Sequence, residues 1–232
     1  MSLQLRVSLP DQPGALSTVA QAIARAGADV MAVSVLESEA GRAIDEFRLR
    51  WPDGRAEGPL LDAVGNLMGV QVVACRRSPW LLDGRPDLDL LACLLAAPER
   101  GLETLVDMAP AALLADWAEL RAPARRLAPL YLSGPTRHDD LAPVSMPVRT
   151  TLHADDGRAW AYFPVEVIRS VLVVGRDNGP PFCRSEALAG ERVIDLALTI
   201  LKRLVDPAPP GTELSELTSF LGYQPAETER SA

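Results

Sequence analysis

The chain has 232 residues, 48% of them hydrophobic and 23% charged, with a formal net charge of -8 at pH 7. That length allows one large domain or two of about 100–200 residues, and the composition is that of a well-cored globular chain. The acidic balance argues against nucleic acid, whose phosphates require a basic face.

The opening MSLQLRVSLP places Leu3, Leu5, Val7 and Leu9 in alternation with Gln4, Arg6 and Ser8. This is the period of a half-buried strand and not the pattern of a signal peptide. A loop, PDQPGAL, follows, and then Leu16, Val19, Ala20 and Ile23 recur at helical spacing. Gly27 is placed to end that helix. Val30 to Leu36 reads as a second strand and Ile44 to Trp51 as a third, with Phe47, Leu49 and Trp51 facing one way and Glu46, Arg48 and Arg50 the other. Leu60, Leu61, Val64, Leu67 and Met68 form a second helical stripe, and Val70, Val72 and Ala74 a fourth strand. Strand, helix, strand, strand, helix, strand is the split βαβ arrangement, an antiparallel sheet with two helices on one face.

Pro10 to Val30, with Asp11, Pro13, Gly14, Leu16, Val19, Ala20, Gly27 and Asp29 in place, resembles the opening of an ACT domain. The resemblance extends through the third strand and covers residues 3 to 76. It implies a ferredoxin-like regulatory domain (residues 1–77) that pairs with a second copy and binds an amino acid or a similar small molecule between protomers.

Residues 78–86 have the Pro and Gly content of a linker. Leu88, Leu91 and Leu95, then Leu102, Leu105, Val106 and Ala109, form two helical stripes bounded by Pro98 and Pro110. Strands are expected near Trp117–Leu120, Leu127–Leu132, Trp160–Val165 and Ser170–Val174, with Gly175 opening a turn. Val193, Leu196, Ala197, Ile200, Leu201 and Leu204 then form one stripe of a long helix. Its start resembles a capping box, with Cys183 at the cap and Phe182 as a hydrophobic staple. Residues 170–204 are similar to the closing strand and helix of a GAF domain. That implies a GAF-like α/β domain with an antiparallel sheet over 87–205, followed by a Pro-rich, partly disordered tail over 206–232 in which Leu214, Leu217 and Leu221 are spaced for one helix. The fold class expected overall is α+β.

In the opening loop, Asp11, Gln12, Pro13, Gly14, Ala15 and Leu16, with Asp29 and Met31 on the second strand, are the candidate ligand residues. Helix-start amides lack internal partners and suit a carboxylate. An ionised Asp accepts only, so Asp11 and Asp29 suit a ligand ammonium. The alternative is that Asp11 orders the turn, Pro13 fixes φ and Asp29 starts a strand. Trp117, Tyr131, Trp160 and Tyr162 could line a pocket in the second half or simply pack a core. His138 with Asp139 and Asp140, and His153 with Asp155 and Asp156, invite a metal reading, but ordinary solvated turns explain them, so no metal or cofactor is expected. Cys183 could be an activated thiol at a helix start or a cap. Cys75 and Cys93 read as small core residues. Three scattered cysteines suit a reducing compartment, and hence the cytoplasm. No nucleophile–base set appears. The expected function is a non-catalytic regulator, a homodimer that binds a metabolite (an amino acid first among candidates) and signals through the second domain. The alternative is a ligand-free assembly protein.

Overall fold

Alternating leucines and valine give strand β1 (Ser2–Pro10) one continuous apolar face, and the rest of the first unit is built against it. In the computed structural model, which describes residues 2–78, 84–122, 131–133, 147–155, 157–177 and 179–205, β1 is followed by α1 (Ala15–Arg25), β2 (Asp29–Glu39), β3 (Arg42–Arg50), α2 (Gly58–Gly65) and β4 (Gln71–Ser78). The strands form an antiparallel sheet in the order β2-β3-β1-β4. Leu3, Leu5, Val7 and Leu9 lie opposite Leu49, Phe47, Asp45 and Ala43 of β3. Together with Val19 and Ile23 of α1 and Leu60 and Val64 of α2 they make the core. The expected βαββαβ order is the one observed. The second helix is shorter than its stripe: α2 stops at Gly65, Leu67 only packs against the core, and Met68 is 98% exposed.

The opposite face of β1 is also covered. Gln4, Arg6 and Glu46 are buried, although alternation marks them as solvent-facing. The compact unit around this sheet takes in Met1–Gly84 and two later segments, Ala154–Ala159 and Asp177–Glu186. Arg6 Nη1 donates to the Pro181 carbonyl at 2.8 Å, and its Nη2 to Glu46 Oε2 at 2.6 Å and Glu186 Oε1 at 2.8 Å. Gln4 Nε2 donates to Glu46 Oε1 at 3.0 Å and accepts from Arg76 Nε at 2.6 Å. Every member of this buried network is hydrogen-bonded, as burial of charge requires.

The second unit begins with α3 (Pro86–Ala96) and α4 (Gly101–Ala112), followed by β5 (Trp117–Arg121), β6 (Tyr131–Leu132), β7 (Thr151–Asp155), β8 (Arg158–Val165), β9 (Ser170–Asp177) and α5 (Arg184–Val205). Its five strands are ordered β6-β5-β9-β8-β7, and β5 pairs antiparallel with both neighbours. Several expectations shift here. Gly175 lies inside β9, opposite Trp117, and not in a turn. Pro110 lies inside α4 instead of bounding it. In α3 the buried residues are Leu90 and Leu94, while Leu88 and Leu95 are exposed. In α5 the buried row is Ala187, Gly190, Ile194, Ala197 and Leu201, with Leu196 and Leu204 exposed. A Cβ on Gly190 would meet the Phe163 ring at 2.9 Å, so the helix packs close at that point because the residue has no side chain. The expected strand residues 127–130, most of the linker (79–83) and the tail from 206 lie outside the described residues.

Candidate functional site

PDQPGAL becomes a tight loop whose geometry is set by Gly14. Its φ of +90° is a left-handed conformation open to glycine, and it sits at the N-cap of α1 without a side-chain cap. Asp11 N–H donates to the Gly41 carbonyl at 2.9 Å, Gln12 N–H to Pro10 at 2.9 Å, and Ala15 N–H to Gln12 at 3.2 Å. Thr18 N–H and its hydroxyl both donate to the Gly14 carbonyl. The Ala15 amide is therefore occupied. The Leu16 and Ser17 amides make no such bond and remain the open donors of the helix start. Leu16 is 41% exposed, so this end of α1 is accessible.

The two candidate carboxylates do not converge within one chain. Asp11 Oδ2 accepts from the Ser38 hydroxyl at 2.5 Å, at the far end of β2. Asp29 begins β2 and faces Arg50 at 3.4 Å in an exposed ion pair. Nine strand residues separate Ser38 from Asp29, roughly 30 Å at a strand's rise of about 3.3 Å per residue. Met31, half-buried, sits at a bulge where the β2–β3 register skips from Val30 to Ala32.

A further carboxylate lies near the loop, Asp45 of β3. Asp45 is 3% exposed, occupies the apolar face between Ala43 and Phe47, and its Oδ1 has no hydrogen-bond partner. Burial, and then the charge of Asp11, push its carboxyl above the usual carboxylate range. The signal was present in the sequence, because an Asp falls at a position where the alternation calls for an apolar side chain.

In the second unit, Trp117 and Tyr162 are buried against Val171 and Val173, with Trp160 packed on them. His153, on exposed β7, stacks on Trp160 at 5.8 Å and meets the edge of Tyr162 at 5.0 Å. The Tyr131 side chain lies outside the described residues, as do His138, Asp139, Asp140 and Asp156. Among the described residues, no group of three or more His, Cys, Asp or Glu could hold a metal ion. A cleft of about 580 Å³ in this unit is lined by none of Trp117, Trp160 and Tyr162.

Cys183 caps α5. Its N–H donates to Glu186 Oε2 at 2.9 Å, the return half of a capping box, and burial followed by the charge of Glu186 pushes its thiol up. That is the opposite of activation. Cys75 packs against the first core with its thiol pushed up to about 11, and Cys93 is exposed and not a core residue.

With β1, the loop, α1, β2 and β3 in this arrangement, comparison with known families finds a match for that segment. Residues 3–50 match the family model of the ACT domain. The match ends at β3, and α2 and β4 complete the same sheet and helix layer. An ACT domain points to a regulatory, small-ligand-binding role. No curated protein matches the chain. A solved structure described as an unknown protein from Galdieria sulphuraria is similar at 11% identity over 88% of this chain and 93% of that one, with a TM-score of 0.31. A likeness that low bears on neither fold nor function. No helix among the described residues is long and apolar enough to cross a membrane.

Proposed function

We propose that the chain is a non-catalytic cytoplasmic regulator whose ACT-type unit binds an amino acid between two copies. The reading rests on the open Leu16 and Ser17 amides at the start of α1, which suit a carboxylate. β2 is an edge strand whose Val33 and Val35 are exposed, 40% and 63%. An exposed apolar edge is an invitation to pair. An antiparallel, two-fold pairing of β2 edges would carry Asp29 of one copy to the loop of the other, which a single chain cannot do. Asp29 would then receive the ligand ammonium. Ligand would favour one dimer arrangement by its differential affinity for the two states. The second unit, which has two helices, an antiparallel sheet and a closing strand and long helix, would relay the change as a GAF-like module. If both copies bind nothing, the same edge makes the protein an assembly module.

The test is a thermal-shift screen of the full chain against the twenty amino acids, with sizing alongside. A ligand at 100 times its dissociation constant adds about 2.7 kcal/mol to stability. Gly14→Val and Asp29→Ala homodimers should each lose the shift, whereas a mixed dimer of the two variants keeps one intact site and recovers it. A dimer silent to every amino acid supports the assembly reading, and a monomer overturns both.

A further inference from the structure

The second unit carries a cleft that no residue of the first unit's loop lines. Its wall is one face of α5, where Glu191, Asp195, Thr199 and Lys202 follow one another at helical spacing. Its floor is apolar, with Phe163 and Ile194 both 2% exposed. Its volume, about 580 Å³, falls in the usual range for small-molecule pockets of about 300–1,000 Å³.

The charges divide along the helix. Glu191 and Asp195 stand at one end, one turn apart, and Lys202 at the other. Glu166 and Arg149 add one charge of each sign. Among the described residues, no ion pair joins any of these five side chains. Only Glu191 has a partner, accepting the Thr150 amide at 3.2 Å. The Thr150 hydroxyl is buried and makes no hydrogen bond, and a buried polar group left in that state lacks what it needs. Charges of both signs around an apolar floor, not joined in ion pairs among the described residues, are complementary to a zwitterion and not to a simple cation or anion.

The spacing sets its length. Seven helical residues separate Asp195 from Lys202, roughly 10 Å at about 1.5 Å per residue. An extended peptide of three residues spans about 10 Å, whereas a free amino acid is far too short. Thr199 lies between the two charges and offers a hydroxyl to the peptide groups. We propose that this cleft binds a short zwitterionic peptide of about three residues, with its amino end at Glu191 and Asp195 and its carboxylate at Lys202. The site is separate from the loop of the first unit and does not depend on the reading of that loop.

The experiment is isothermal titration of the full chain with tri-alanine, N-acetyl-tri-alanine, tri-alanine amide and alanine. Tri-alanine should bind, and each blocked end should weaken binding about tenfold, near 1.4 kcal/mol. Alanine should be at least as weak. Asp195→Asn should reduce the penalty for acetylation only, and Lys202→Met should abolish the penalty for amidation only. Both side chains are exposed, so both variants should fold. The proposal is overturned by no binding of tri-alanine, by indifference to both blocked ends, or by binding that both variants leave unchanged. Binding that is lost in Gly14→Val but kept in the two α5 variants would place the peptide at the first unit and would also overturn it.

Discussion

Arg6 and Glu186 are 180 residues apart in the chain and 2.8 Å apart in the fold, within the same compact unit. Burial opposes the charge of Arg6, and Glu186 and Glu46 more than offset it, so the guanidinium is held charged. Removing one partner of such a set strands the others in a dry environment. Arg6→Ala should cost about 3–5 kcal/mol in urea unfolding, because a buried carboxylate (Glu46) and a half-buried one (Glu186) lose their counter-charge. Glu186→Gln keeps a hydrogen-bond acceptor and should cost less, about 1–3 kcal/mol. Equal, sub-kilocalorie effects would mean that the network contributes nothing.

Asp45 gives the fold a pH dependence of unusual sign for a carboxylate. It binds its proton more tightly in the folded chain than in the unfolded one. Its stabilising contribution is therefore greatest below the usual carboxylate range and is lost as pH rises through the folded-state value. Asp45→Asn should remove that component, so the variant gains on the wild type between acid and neutral pH. Parallel stability–pH curves for the two proteins would refute this.

Gly175 and Trp117 face each other across β9 and β5, and a Cβ on Gly175 would lie 1.9 Å from the indole. Gly175→Ala should destabilise by roughly 1–3 kcal/mol through overpacking. Trp117→Leu should be harmful alone and yet partly rescue Gly175→Ala. Additive effects in that double-mutant cycle would show that the ring moves aside freely.

The three thiols should react in a fixed order. Cys93 is exposed, whereas Cys75 is half-buried with its thiol pushed up to about 11 and Cys183 is capped, half-buried and also raised. Iodoacetamide at mildly alkaline pH should label Cys93 first and Cys75 only on unfolding, since the thiolate is the reacting form. Mass spectrometry of a labelling time course reads the order directly, and early labelling of Cys75 would contradict it.

What was legible depended on whether a residue's environment was written in its near neighbours. The first unit was, since each of its strands and helices shows a clean period and the loop sits where two periods meet. The burial of Arg6, and with it the network through Glu46 and Gln4, was not, because two of the partners of Arg6, Pro181 and Glu186, lie far along the chain. β7 escaped notice because all five of its residues are exposed, so neither face imposes an alternation. α5 carries two apolar rows, and the bulkier one, through Leu196 and Leu204, is the one left exposed. Gly190 and its small neighbours allow the tighter approach, so the less hydrophobic row is the buried one. The separation of Asp11 from Asp29 followed from strand register, which no local pattern encodes.

The coverage of Arg6 also bears on how the molecule can be dissected. A fragment ending after β4 contains every strand and helix of the first sheet, yet it lacks Pro181 and Glu186. Its Arg6–Glu46 pair would meet water, and surface that is interior in the whole protein would become free to self-associate. Dimers or ligand responses measured on such a fragment would then include a contribution from that new surface, which the whole chain does not expose.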